Sequence, residues 1–226
     1  MSTFPFLDLT DVESLILALV RFRAVTGASS GFGLTMTKCA LKNGDIAVAT
    51  LRTPSNLDAL RAEYPSSDNL LIIKLDVTKP EEISSAFEEV KEKLGRIDYV
   101  FNNAGYAVVG EVEGVKEADA RAMFEVNFWG AMNVAKAALE FFREVNKPQG
   151  GYLLNVSSSV GLVAKPPTGW YAASKHGKHH PISRSRALIT FIDVQPSREL
   201  RRPSPRKQTL SGTSRCVISH IIVELV

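Results

Sequence analysis

Tyr171 and Lys175 stand four residues apart in Tyr-Ala-Ala-Ser-Lys, and a serine triplet, Ser157-Ser158-Ser159, precedes them. On a helix that spacing puts the phenol and the amine on one face, about 6 Å apart along the axis. A free tyrosine titrates near about 10 and gives up its proton reluctantly at neutral pH. An ammonium fixed beside it favours the phenolate, and a second positive charge in the same site would favour it further. Bringing the phenol to about 7 takes roughly 4 kcal/mol of differential stabilisation, which two nearby cations in a partly dry site can supply. Tyr171 could then act as a general acid or base, while the Ser158 hydroxyl holds a reacting carbonyl oxygen from the other side. The same pair also describes an amphipathic tyrosine beside a solvated lysine. The choice depends on what the rest of the chain brings to it.

What precedes the pair is an alternation of apolar strands and helices. Ala24-Val25-Thr26 reads as the end of a strand, and Gly27-Ala-Ser-Ser-Gly31-Phe-Gly33 follows at once. Leu34 to Leu41 has helical character and Asn43-Gly44 closes it. Strand, glycine turn and helix make an anion cradle: small residues admit a pyrophosphate, and the helix start offers free N–H groups. The spacing is G-x-x-x-G-x-G rather than G-x-G-x-x-G, and a plain turn is the competing reading. Arg23 is awkward in a strand buried on both faces, which predicts a short or irregular first strand.

Further strands are predicted at 46–50, 70–75, 97–101 and 152–156, with helices at 57–64, 80–94 and 118–145 between them. This pitch predicts an α/β fold: a doubly wound parallel sheet, Rossmann-like, in three α/β/α layers. Ligands in such sheets sit beyond the carboxyl ends of the strands. Gly27 to Gly33, Arg52, Asp76 and Asn103 all fall there. An acidic residue near the end of the second strand would bind the ribose 2′-hydroxyl of NAD. Arg52 instead suits a 2′-phosphate, unless it is merely a solvated surface arginine. In the long helix, Ala122, Met123, Val126, Gly130, Val134, Ala138 and Phe141 form an apolar stripe. Asn127 lies beside that stripe, as a hydrogen-bonded core amide or as a functional group.

At 226 residues, with 45% hydrophobic and 23% charged side chains, the chain reads as a soluble globular protein with a sizeable core. The net charge of +3 is unevenly spread. Residues 1–175 carry 18 Lys/Arg against 21 Asp/Glu, whereas residues 176–226 carry 9 against 3 and all four histidines. No nucleic-acid motif accompanies the basic segment, so no nucleic-acid partner is expected. Cys39 and Cys216 are far apart and read as reduced thiols of a cytoplasmic protein. The apolar run 15–20 is too short to span a bilayer and follows acidic residues, so neither membrane nor signal peptide is expected.

Thr26-Gly-Ala-Ser-Ser-Gly-Phe-Gly33, Asp76, Asn102-Asn-Ala-Gly105, Asn127, the serine triplet and Tyr171-x-x-x-Lys175 together resemble the short-chain dehydrogenase/reductase family, in its order and near its spacings, across residues 22–177. The resemblance implies hydride transfer between an alcohol and a carbonyl compound, with Tyr171 as proton donor or acceptor and Lys175 lowering its pKa and holding the nicotinamide ribose. It further implies that Ser158 polarises the substrate oxygen and that Asn127 anchors a water in a proton relay. Gly27, Ser29, Ser30, Gly31, Phe32 and Gly33 would line the cofactor. So would Arg52, Asp76, Val77, Asn103, Ala104 and Gly105, with NADP(H) favoured over NAD(H). Family members pair through the helices bearing Asn127 and Tyr171, which implies a homodimer or homotetramer, and no metal is implied.

After residue 177 the pattern breaks. Pro181 should end the tyrosine helix early. His176-Gly-Lys-His-His180 reads as a solvated basic turn rather than a metal site. Residues 188–192 are a candidate sixth strand and 216–223 a candidate last one. Pro196-Ser197 stands where the family has Pro-Gly over the nicotinamide, and 197–215 have a disordered composition. The expected organisation is an atypical extension at 1–20, a dinucleotide-binding catalytic domain at 21–177 and an atypical basic segment at 178–226. Two functions follow: an NADP(H)-dependent oxidoreductase, or an NADP-binding protein whose substrate pocket is incomplete.

Overall fold

The computed structural model describes residues 22–65, 68–163 and 166–178, together with the backbone of the strands Leu188–Val194 and Ile218–Glu224. The expectations for residues 1–20, His179, His180, Pro181, Pro196-Ser197 and 197–215 lie outside the described residues.

Five short apolar runs become parallel strands: β1 (Phe22–Thr26), β2 (Ile46–Leu51), β3 (Leu70–Lys74), β4 (Tyr99–Asn102) and β5 (Tyr152–Ser157). β6 (Leu188–Val194) extends the sheet in parallel beside β5, and β7 (Ile218–Glu224) closes it antiparallel. The order is β3-β2-β1-β4-β5-β6-β7. The chain therefore winds outward from β1 in one direction and then from β4 in the other. The reversal between β1 and β4 opens a crevice at their carboxyl ends.

Side chains alternate across the sheet with period two, and both faces are apolar because both are covered. Ala24, Val48, Ile73, Val100 and Leu153 pack on one face, against α3 (Pro80–Leu94) and α5 (Ala131–Glu144). Val25, Ala47, Ala49, Phe101 and Leu154 pack on the other, against α1 (Gly31–Lys42) and α2 (Asp58–Glu63). α3 begins on Pro80 and ends on Gly95 at φ +67°, a left-handed position that favours glycine.

Two expectations are corrected. β1 is regular over five residues and paired on both sides, although Arg23 is only 3% exposed. Its guanidinium lies 3.2 Å from Asp45 Oδ2, which supplies a buried counter-charge inside the sheet layer. Burial pulls the arginine's pKa down and pushes the aspartate's up; each partner opposes its shift only in part. The helix expected at 118–145 is broken in two: α4 (Glu117–Phe124) and α5 are joined by a π-helical turn, Glu125–Gly130. A Cβ on Gly130 would stand 2.8 Å from Val77 Cγ2 and 2.9 Å from Val77 O. The turn can approach the end of β3 so closely only because residue 130 is glycine.

Candidate active site

The glycine turn after β1 is held from the neighbouring strand. Thr26 Oγ1 accepts from the backbone N–H groups of Asn103, at 2.9 Å, and Ala104, at 3.0 Å. Asn103 Nδ2 donates to Thr26 O at 2.9 Å and to Gly27 O at 3.4 Å. The amide of Asn103 is thus spent on fastening two strand ends together. A Cβ on Gly33 would sit 2.2 Å from Gly27 O, so α1 could not seat its first turn on the loop with any other residue. Gly31, at φ +53°, faces open space at the start of α1.

Above this turn lies a cleft of about 870 Å³, a volume suited to a bound nucleotide. Gly27, Ser29, Ser30, Gly31 and Phe32 form its floor; Arg52, Asp76 and Val77 one wall; Asn103, Ala104 and Gly105 the other. Ala122 and Val126, counted in the apolar stripe, line this cleft, and Val126 also packs against the core. Gly33 lies buried beneath the floor and does not line it. Asp76 Oδ1 accepts from the Thr78 N–H at 3.0 Å and the Thr78 hydroxyl at 2.8 Å. Partial burial raises the Asp76 pKa, but those two bonds, with Arg52 and Lys79 nearby, bring it below its ordinary value. The fit to a dinucleotide rests on the chain itself: glycines where a Cβ would close the cradle, a helix start with no acidic residue in its first turn, and a cation at the end of β2.

Lys175 lies beside Tyr171, and Asn127 is bonded to the same helix; neither these three nor Ser158 is part of the cleft's lining. Ser158 follows β5, and the 3-10 turn Ser159–Gly161 packs on α6 (Gly169–Gly177), which carries Tyr171 and Lys175. His176 Nδ1 bonds Gly161 O at 2.8 Å and pins helix to turn. Lys175 is 4% exposed; its Nζ lies 5.7 Å from the centre of the Tyr171 ring and donates to Val156 O at 3.3 Å. Burial pulls its pKa down to about 8, against a hydrogen bond with Lys178 that acts in the opposite sense. It therefore still carries its proton at pH 7. A Cβ on Gly105 would stand 3.3 Å from Lys175 Nζ and 2.8 Å from Asn127 Oδ1, so the loop after β4 runs directly over both groups.

Asn127 is fully buried on the π-helical turn. Its Nδ2 donates to Tyr106 O at 2.8 Å and to Ser174 Oγ at 3.1 Å, and its Oδ1 accepts from the Tyr106 N–H at 3.0 Å. The side chain binds three segments together, and a π-helical turn is a common local device at functional sites.

A family model described as short chain dehydrogenase matches residues 22–187. The chain belongs to the short-chain dehydrogenase family. Among curated relatives it is 38% identical over 151 residues to an uncharacterized oxidoreductase of Schizosaccharomyces pombe, covering 67% of this chain and 49% of that protein. It is 38% identical over 185 residues to the oxidoreductase calM of Penicillium decumbens, covering 76% and 59%. It thus spans about half to three-fifths of the length of these relatives. A short-chain dehydrogenase structure from Streptomyces avermitilis matches with a TM-score of 0.64 at 35% identity, over 70% of this chain and 56% of that one. An alcohol dehydrogenase from Thermococcus sibiricus, solved with 5-hydroxy-NADP, shares the fold with a TM-score of 0.67 at 24% identity, over 77% and 75%.

Within that family framework, Lys178 is the residue that reading the sequence placed wrongly. It was expected in a solvated basic turn but is 1% exposed and lies against Lys175. Its signal was the three-residue spacing from Lys175, which shares a helix face. Among the described residues no helix is long and apolar enough to cross a membrane, and no cluster of three or more potential metal ligands occurs.

Proposed function

We propose that the chain is an NADP(H)-dependent oxidoreductase that interconverts a carbonyl compound and an alcohol. The observation that carries this reading is the placement of a buried, charged Lys175 under the loop after β4 and beside the Tyr171 ring, next to a nucleotide-sized cleft. Gly27, Gly31 and the start of α1 would hold the pyrophosphate through backbone N–H groups. Arg52 would pair with the 2′-phosphate, since it directly follows β2 and no acidic residue adjoins it in the sequence. A bound reduced nicotinamide supplies the hydride.

The chain's own residues handle the proton. Ser158 donates a hydrogen bond to the substrate oxygen, and Tyr171 gives that oxygen its proton as the carbonyl becomes an alcohol. Lys175 stabilises the phenolate left behind, because a cation fixed near the ring favours its ionised form. Asn127 keeps the π-helical turn and α6 in register, so that these groups stay within reach of one another.

A second reading, cofactor binding without turnover, is favoured by one observation: Ser158 and Tyr171 do not line the cleft. One experiment separates the two. Thermal shifts with NADPH and NADH are compared for wild type and Arg52→Ala, and consumption of NADPH is followed with a panel of ketones for wild type and Tyr171→Phe. The oxidoreductase reading expects a larger shift with NADPH, a preference lost in Arg52→Ala by about ten- to a hundredfold in affinity, and turnover abolished by Tyr171→Phe. Cofactor stabilisation with no turnover on any ketone supports the second reading instead.

A further inference from the structure

Lys178 follows the last residue of α6 and is more deeply buried than Lys175, at 1% against 4% exposure. Both amines reach one acceptor. Lys175 Nζ donates to Val156 O at 3.3 Å, and Lys178 Nζ donates to the same oxygen. The two amines thus converge on one carbonyl oxygen and act on each other's pKa. An ammonium has three donors and no lone pair, so a bond between two lysine amines requires that one of them be neutral. Two ammoniums crowded onto a single carbonyl oxygen away from water would also repel each other.

The surroundings offer little to hold a second charge. On α6 itself stand Tyr171, and His176 with its Nδ1 engaged at Gly161 O. The end of β5 and the turn 159–161 bring hydroxyls and backbone groups, and the only ionisable side chain of β5 is Tyr152 at its other end. α4 and the π-helical turn carry Glu117, Asp119, Arg121 and Glu125, all exposed. On β6, Asp193 stands in register with Ser157. Among the described residues, burial and the neighbouring lysine are what act on each amine. Burial lowers both, and the neighbouring lysine raises Lys175 and lowers Lys178 further.

We propose that Lys178 is a positioning residue for Lys175: its neutral amine accepts a hydrogen bond from the Lys175 ammonium over the Val156 carbonyl, the two amines carry one proton between them, and Lys178 thereby sets the pH above which Lys175 loses its charge. The consequence for turnover rests on the oxidoreductase reading above; the shared proton does not. As the pH rises, Lys175 gives its proton to water and both amines become neutral. The cation beside Tyr171 is then gone, and the phenol returns toward its ordinary reluctance to ionise. Lys178 is needed because a neutral acceptor supports the charge on Lys175 where a buried hydrocarbon could not.

The test uses the full chain with isotopically labelled lysine side chains, and follows the two buried amines by NMR from pH 6 to 11 without cofactor or substrate. In wild type, one buried amine is expected to be neutral already at pH 7 and the other to lose its proton near 8. In Lys178→Met the surviving amine should titrate lower by about one pH unit, a tenfold change, and Lys178→Gln, which keeps a neutral acceptor, should restore it. The alkaline limb of kcat/KM for ketone reduction should move by the same amount in the same direction. Two charged buried amines at pH 7, or a Lys175 titration that stays in place or rises in Lys178→Met, would overturn the proposal. The wild-type titration decides even if both variants fail to fold. The predicted NMR shift without turnover in any form would support the shared proton and count against the oxidoreductase reading alone.

Discussion

The Asn127 amide donates to Ser174 Oγ across 3.1 Å, and this bond joins the π-helical turn to the helix that carries Tyr171 and Lys175. Ser174 in turn donates to Tyr171 O at 2.8 Å, so the contact reaches the backbone of the tyrosine itself. The π-helical turn and α6 are thereby registered by one side chain.

Replacing that side chain should have two separable effects. Asn127→Ala leaves the part-buried Tyr106 N–H and carbonyl without their partner and should cost about 1–3 kcal/mol of stability. Ser174→Ala removes two neutral bonds, one from Asn127 and one to Tyr171 O, and should cost about 1–3 kcal/mol. If the bond positions α6, the two substitutions are not additive in turnover, with a coupling of about 0.5–3 kcal/mol in a double-mutant cycle on kcat/KM. Additive losses would mean that Asn127 acts only through the Tyr106 loop.

A second prediction concerns the cradle. Gly33→Ala drives a methyl against the Gly27 carbonyl, at 2.2 Å, and against Asn103 Nδ2, at 2.8 Å. Both neighbours are held in place by the Thr26 clasp, so the helix start must shift. NADPH stabilisation in a thermal melt should vanish while the apo protein loses several degrees. Gly31→Ala meets no atom within 4 Å and strains only its positive φ, so its melt should change less. Equal losses in the two variants would show that backbone strain, not the close approach, governs the turn.

Much of this was legible from residue order alone. The alternation of short apolar runs with helices, with Asn43-Gly44 closing the first helix, pointed to a parallel sheet, and the glycine turn placed its crevice. Three features were not legible, because tertiary contacts decide them. Nothing in the propensities of residues 125–130 announces a π-helical turn, nor the close approach of Gly130 to Val77 that goes with it. Arg23 looked incompatible with a buried strand because its partner, Asp45, lies 22 residues later, beside β2. Lys178 sits in a run of His, Gly and Lys that reads as solvated, and only the carbonyl end of β5 lying under α6 turns it inward. In the last two cases a polar group went where a local rule forbids it, and a distant partner explains why.

The Arg23–Asp45 pair yields the third prediction. Asp45→Ala leaves a buried guanidinium with no counter-charge and should destabilise the fold by about 3–5 kcal/mol. Changing both partners, Arg23→Met with Asp45→Ala, should recover most of that loss, since an apolar pair of similar volume often replaces a buried ion pair without cost. Urea melts of the two variants check this. A double variant as unstable as the single one would show that Asp45 matters for the turn before β2 rather than for the charge.

The lysine pair also leaves a signature in stability against pH, with a definite sign. Lys175 titrates near 8 in the folded chain but near 10.5 when unfolded, so between those values the unfolded chain binds more protons. Stability contributed by this group therefore rises with pH across that window, and the cost of burial is fully present below about 8. Lys178, lowered by burial and by Lys175, adds a cost of the same sign that persists to lower pH. Lys178→Met removes the deeper of the two amines and leaves Val156 O still bonded to Lys175. The variant should melt a few degrees above wild type at pH 7, at about 2–4 °C per kcal/mol for a domain of this size. The difference should shrink as the pH rises and vanish only above about 10.5, where the unfolded lysines also lose their protons. Melts of the two proteins at matched pH cancel every other titrating group. A variant less stable than wild type across the whole range would mean that the bonds made by the Lys178 amine outweigh its burial.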